Sequence, residues 1–204
     1  MDKIKKILDY LKKRYPDAAC SLDATVPWQL LFSTRLAAQC TDKRVNIVAQ
    51  VLYEKYPTLE AMAAADISEL EEILYPVGFF RQKAKDLKTA SLQLLTHFGG
   101  QVPDNMEDLI SLSGIGRKTA NLILGDVYGL PAIVADTHLI RFANRMGLVH
   151  TKDPHKVEIA LKEIIPPAEQ TAFCHRAVYF GRDLCRAQRP DCAACGLREV
   201  CTYI

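Results

Sequence analysis

The 204-residue chain has no long apolar run. Nothing in it approaches the roughly 18 residues that a helical membrane span needs, which excludes an integral membrane protein. Its opening Met1-Asp2-Lys3-Ile4-Lys5-Lys6 has no apolar core and no small-residue cleavage site, so no secretory signal is expected. A reducing, cytoplasmic home is the default expectation. Convincing period-2 strands with hairpin turns are missing, as are internal repeats and low-complexity linkers. Charge of one sign is also missing: 26 Lys+Arg against 24 Asp+Glu leave a net +2, far from a strongly basic nucleic-acid module. The ends are basic and the middle mildly acidic, so any contact with a polyanion must be local. At 49% hydrophobic and 25% charged, disordered and fibrous classes are excluded. The length suffices for one large domain or two small ones with real cores.

What the chain does have is seven cysteines. Cys20, Cys40 and Cys174 are scattered and read as core packing, because a free thiol behaves as a small hydrophobe. Cys185, Cys192, Cys195 and Cys201 crowd the C-terminal end. An odd total without an export signal argues against a disulfide framework. Four thiolates in one short loop can satisfy a single metal centre, and Cys-x2-Cys brings two ligands to it from one turn. Structural zinc competes with an iron–sulfur cluster, although paired Cys-x2-Cys motifs with a longer spacer would be more typical of zinc. Unrelated buried thiols are the third reading.

Helical periodicity runs nearly throughout. Ile4, Ile7, Leu8 and Leu11 form an apolar stripe that Tyr15-Pro16 ends. Residues 28–38 and 43–55 predict two helices, the second capped by Asp42. Short helices follow at 59–65 and 68–74, then a longer one at 81–97 closed by Gly99-Gly100. Asp104 with Glu107 reads as a capping box opening a helix to Leu112. Ser113-Gly114-Ile115-Gly116 breaks it, and periodicity resumes over 117–124. Residues 125–131 look like a domain junction. Further helices are expected at about 137–146, 154–165 and 170–184.

The segment Leu112 to Ala120 is therefore helix, Gly-x-Gly turn, helix. Glycines let the backbone turn tightly and bring its amides to a phosphate, and the next helix start adds its positive dipole end. Gly-x-Gly alone is equally an ordinary turn; Arg117-Lys118 tips it toward phosphate. Lys118 lies in the first helical turn, where the dipole disfavours an ammonium, as a nucleophilic amine requires. A solvated lysine touching phosphate is the plainer reading. Asp136 before Thr137-His138 reads as a helix cap, a role that is compatible with a chemical one. Arg81, Lys83, Lys85 and Lys88 form a basic stretch behind Gly78-Phe79-Phe80. An exposed aromatic there would be a wedge for a base stack, but core aromatics beside a solvated charged face are commoner.

These residues together resemble the helix-hairpin-helix superfamily of DNA glycosylase/AP lyases, in its iron–sulfur branch. The resemblance rests on Leu112–Ala120, on Ala135-Asp136-Thr137-His138 about 20 residues on, and on the Cys-x6-Cys-x2-Cys-x5-Cys tail. Gln39-Cys40-Thr41-Asp42 and Gly78-Phe79-Phe80-Arg81-Gln82-Lys83-Ala84 extend it over nearly the whole chain. It implies an all-α, two-domain helix-hairpin-helix glycosylase fold with a cleft between domains. A six-helix domain at 20–130 would carry the hairpin, and residues 1–19 with 131–204 would hold a 4Fe–4S cluster on Cys185, Cys192, Cys195 and Cys201. It further implies Lys118 as nucleophile and Asp136 as catalytic carboxylate. Gln39 would fill the gap left by a flipped base, Phe79 would be the opposite wedge, and Arg81, Gly114, Ile115, Gly116, Arg117 and Thr119 would contact DNA.

The expected activity is removal of oxidised pyrimidines from damaged duplex DNA, with strand cleavage 3′ to the abasic site. The DNA contacts would concentrate at the hairpin, the Arg81–Lys88 helix and the cysteine loop. A monomer is expected, nucleoid-associated if prokaryotic. Three positions depart from the superfamily pattern: Ala37 for serine, Ser113 for proline in the hairpin, and Ala135 for valine. A mismatch-directed relative and a non-catalytic damage binder are the rival readings. An adenine-mismatch enzyme generally lacks the lysine and carries an extra C-terminal domain, for which this chain leaves no room; thymine-mismatch relatives also depart from lysine. A damage binder has no need of both Lys118 and Asp136.

Overall fold

A computed structural model describes residues 3–204; Met1 and Asp2, part of the charged opening, lie outside the described residues. Eleven α-helices occur among them. In chain order they are α1 (Lys3–Arg14), α2 (Pro27–Leu36), α3 (Asp42–Lys55), α4 (Leu59–Ala64), α5 (Ile67–Leu74) and α6 (Phe80–His97). Then come α7 (Met106–Ser111), α8 (Arg117–Asp126), α9 (Thr137–Arg145), α10 (Pro154–Ile164) and α11 (Gln170–Asp183). No strand occurs among the described residues, and no helix there is long and apolar enough to cross a membrane. The class is all-α.

Side-chain caps set where many of these helices begin. Thr58 caps α4, Asp66 caps α5, Asp136 caps α9 and Asp153 caps α10, each accepting first-turn amides. Two expected caps are displaced by one residue. Thr41, not Asp42, caps α3 through its Oγ1, while Asp42 accepts from the Ser21 hydroxyl at 2.6 Å. Asn105, not Asp104, caps α7, and its reciprocal partner is Asp108 rather than Glu107. In both places two adjacent polar residues compete for the cap, and the backbone turn decides between them.

The chain divides into two compact units, Ser21–Tyr128 and Met1–Cys20 with Gly129–Ile204. The first contains α2 to α8, the seven helices that the apolar periodicity marks out, one more than the six that the resemblance implies. Helix α6 packs on α4 and α5, and α2 packs on α3 and α8. Leu31, Phe32, Leu36, Leu52, Met62, Leu70, Leu74 and Leu94 are fully buried there. The second unit closes around Phe142, Phe173 and Phe180, whose rings meet edge to face. Ile7 and Leu11 of α1 are buried in that cluster, and α1 and α9 both pack on α11.

The scattered cysteines divide. Cys174 is core, its Sγ accepting the Val134 N–H at 3.2 Å. Cys20 and Cys40 are only half-buried, so core packing does not describe them.

Candidate nucleic-acid interface and thiol loop

The turn between α7 and α8 is held from inside. Leu112 and Ile115 are buried beneath it, and the Ile115 N–H donates to the Leu112 carbonyl at 3.1 Å. Ile115 therefore seats the hairpin rather than facing outward, while Gly114, Gly116, Arg117 and Lys118 are exposed and Thr119 is half-buried. Gly114 has φ +73°, and a Cβ built on it would lie 2.5 Å from Asp86 Oδ2 and 2.7 Å from Arg35 Nε. Only glycine fits there. Gly116 caps α8 with φ −103°, and a Cβ on it would meet nothing within 4 Å. Lys118 and Thr119 lie in the first turn of α8, where amides have no intrahelical acceptor and the helix dipole favours an anion.

The clamp beneath Gly114 is a buried ion pair. The Asp86 side chain is 5% exposed; its Oδ2 accepts from Arg35 Nε at 2.9 Å and from Arg35 Nη2 at 2.6 Å. Its Oδ1 accepts from Gln82 at 2.9 Å and from the Ser113 hydroxyl at 3.1 Å. The Ser113 N–H also donates to Gln93 Oε1 at 2.8 Å, a bond that a proline there could not make. Ser113 thus straps the hairpin to α6 twice.

The basic stretch of α6 is not one solvated face. Arg81 and Lys85 are exposed, with Arg81 stacked over Phe80 at 4.8 Å and 3.7 Å from Glu71. Lys88 donates to the Ala65 carbonyl. Lys83 is wholly buried and donates to backbone carbonyls, so it is unavailable to DNA, contrary to the expectation for that helix. Phe79, by contrast, is 66% exposed at the α6 N-terminus with φ +48°, so it is not a core aromatic. Gln39 is also exposed and left-handed, at φ +56°. Three non-glycine residues have positive φ among the described residues; Arg189 of the cysteine loop is the third. Such backbone is strained for an L-residue and persists only where its surroundings over-determine it.

In the other unit, half-buried Asp136 caps α9 by accepting the Leu139 N–H at 2.7 Å. Two arginines one turn apart on α9 escaped the sequence reading. Arg141 donates to the carbonyls of Cys185 at 3.1 Å and Gly181 at 3.0 Å. Arg145 donates to the carbonyls of Arg186 at 2.8 Å and Ala187 at 3.1 Å, and Nη1 lies 3.3 Å from Cys185 Sγ. Their i, i+4 spacing on a strongly amphipathic helix is the signal that marks them. His138 sits beside Arg141, and burial pushes its pKa below the ordinary histidine value against the pull of Asp136.

Cys185, Cys192, Cys195 and Cys201 line one cavity, together with Arg145 and Tyr203. Among the described residues no three His, Cys, Asp or Glu side chains converge to hold a single ion. Burial pushes the Cys195 thiol up, and the other three sulfurs add to the rise against a backbone hydrogen bond at Leu197. A bound metal cation would reverse that balance, because its charge lets neighbouring thiols ionise together. As a donor set the four fit a thiolate-ligated metal centre. The loop is tied down by Gly196, which donates to the Tyr10 hydroxyl at 3.3 Å, and by buried Leu197. Arg186, Arg189 and Arg198 are exposed on it.

A helical unit with a strapped Gly-x-Gly hairpin, joined in one chain to a helical unit with a four-cysteine loop, defines a class of DNA-repair proteins. Residues 32–167 match the model of the HhH-GPD superfamily base excision DNA repair proteins. The chain belongs to that family. It is similar to endonuclease III of Synechocystis sp., 43% identical over 96% of this chain and 90% of the relative. Among solved structures it is similar to a non-covalent endonuclease III–DNA complex, with TM-score 0.94 and 38% identity over 100% of this chain and 96% of the other. A trapped endonuclease III–DNA covalent intermediate matches with the same TM-score and identity, over 100% and 97%.

The two hairpin glycines separate in a measurable way. Gly114→Ala is expected to lose about 2–4 kcal/mol of stability, from a left-handed Cβ pressed against Asp86. Gly116→Ala is expected to lose about 1 kcal/mol or less, the cost of an alanine cap. Denaturant unfolding of both variants checks the ranking, and equal losses would contradict it.

Proposed function

We propose that this protein removes oxidised pyrimidines from duplex DNA and cuts the strand at the resulting abasic site, with Lys118 as nucleophile. The observation that carries this is the placement of Lys118: exposed, in the first turn of α8, directly after a hairpin clamped by a buried ion pair. A phosphate bound at the amides of that turn sets a neighbouring sugar within reach of the lysine.

A base inside the duplex cannot be attacked, so the nucleotide leaves the stack, and lesions that stack and pair poorly leave at least cost. Gln39 fills the vacated position and Phe79 enters opposite, while Arg81, Arg117 and Thr119 hold phosphates. Gly114 and Gly116 keep side chains out of the way of the backbone. The Lys118 amine attacks C1′; the C1′–N bond breaks, its electrons leave with the base, and the base takes up a proton that Nζ gives up. The Asp136 carboxylate, oriented by its bond from Leu139, stabilises the cationic sugar in the transition state. The C1′–O4′ bond then breaks, O4′ takes up the remaining Nζ proton, and a Schiff base is left between Nζ and C1′. Loss of a C2′ proton then expels the 3′ phosphate by β-elimination.

Cys185, Cys192, Cys195 and Cys201 would hold a 4Fe–4S cluster, which supplies structural order to the loop rather than chemistry at the sugar. Arg186, Arg189 and Arg198 then contact phosphates from that loop. The protein works as a monomer on damaged duplex DNA in the cytoplasm, at the nucleoid in a bacterium.

Lys118→Gln is expected to lower borohydride trapping on abasic duplex DNA by about 1,000-fold or more, with affinity changed by no more than about threefold. Trapping by the variant at wild-type rates would remove Lys118 from the mechanism. Protein purified without oxygen is expected to carry about four irons per chain and a broad visible absorption. A colourless protein with stoichiometric zinc would contradict the cluster.

A further inference from the structure

Lys83 is buried, and among the described residues it forms no ion pair with a carboxylate. Its Nζ donates to the carbonyls of Leu36, Ala38 and Val77, each at 2.9 Å. Three carbonyls use all three protons of an ammonium. Burial lowers the affinity of Lys83 for its third proton, with Cys40 opposing and Arg35 reinforcing the shift. An apolar side chain would fill the same volume without desolvating a charge. The charge therefore needs a reason beyond packing.

The reason lies in which carbonyls it holds. Leu36 ends α2, where helical carbonyls have lost their intrahelical donors. Ala38 immediately precedes Gln39, and Val77 stands two residues before Phe79. Both tips are exposed and left-handed, and Phe79 begins α6 without a side-chain cap. One buried ammonium thus ties the main chain of both tips to the second turn of α6. Asp86, three residues further along the same helix, clamps the hairpin.

We propose that Lys83 is a positioning residue for base flipping: it fixes the spacing of the Gln39 and Phe79 tips so that both enter the duplex at one lesion. This rests on the reading that Gln39 and Phe79 insert. An inserted side chain works against restacking of the bases, so a tip that relaxes toward ordinary backbone geometry loses its hold. With Lys83 in place, relaxing either tip means breaking one of the three bonds that hold a buried ammonium.

The test uses full-length protein and a duplex with 2-aminopurine beside a thymine glycol, whose fluorescence rises when the stack opens. The signal is normalised to the enzyme fraction that traps abasic DNA under borohydride at end point. Lys83→Met is expected to lower the normalised amplitude by about tenfold, as loss of the wedge would. A role confined to stability would lower the melting temperature and the trapping fraction but leave the normalised amplitude at the wild-type value. That outcome overturns the proposal. Gln39→Ala and Phe79→Ala are the controls. If they keep full amplitude, insertion by those residues fails; if they lose it while Lys83→Met does not, only the role of Lys83 fails. Lys83→Gln, which keeps two donors in less volume, is measured where Lys83→Met melts below the assay temperature. Failure of both variants to fold overturns the proposal too, since a residue needed for folding is not reserved for placing the tips.

Discussion

The Asp86 carboxylate is almost sealed from solvent and accepts from Arg35, Gln82 and Ser113 at once. A charge so buried is tolerable only while every partner stays in place, and removing one partner of such a pair costs about 3–5 kcal/mol. Those partners come from α2, from α6 itself and from the hairpin before α8. The position of the hairpin, and of Lys118 in the helical turn that follows it, is thereby set by a requirement that cannot be relaxed locally. Gly114 completes the constraint, because any side chain there would occupy the space of the carboxylate.

Helix α6 is the common reference. Its buried stripe contains Lys83, Ala84, Asp86, Leu87, Ala90, Ser91 and Leu94, so two opposite charges sit among core residues. One charge fixes the hairpin, the other the two loop tips that meet DNA in the proposed function. In the second unit α9 has the corresponding position: Asp136 caps its start, while Arg141 and Arg145 hold the backbone around Cys185. In each unit one helix with a core-packed face carries the charged side chains that fix neighbouring loops.

Much of this is written in local pattern. Apolar periodicity locates the helices to within a residue or two, because burial of one stripe is a local property of the sequence. The Gly-Ile-Gly turn, Lys118 and Asp136 stand out because glycine and a capping carboxylate have strong local preferences. Lys83 and Asp86 do not stand out by composition. Arg81-Gln82-Lys83-Ala84-Lys85 reads as a solvated face until its helical phase is followed, when residues 83, 87, 90 and 94 fall on the core stripe. The displaced caps at Thr41 and Asn105 fail for a different reason: two neighbouring polar side chains are equally good acceptors, and only the backbone path selects one. The double strap on Ser113 is tertiary, and nothing local predicts that Gln93 accepts its amide.

The proposed chemistry turns on which amine forms the covalent bond to DNA. Borohydride reduction of wild-type protein on an abasic duplex, followed by nuclease and protease digestion and mass spectrometry, locates the sugar remnant on the chain. The added mass is expected on Lys118, in the peptide containing Thr119 and Ala120. Its appearance on the N-terminal amine of Met1, or on a lysine outside the hairpin, would contradict it.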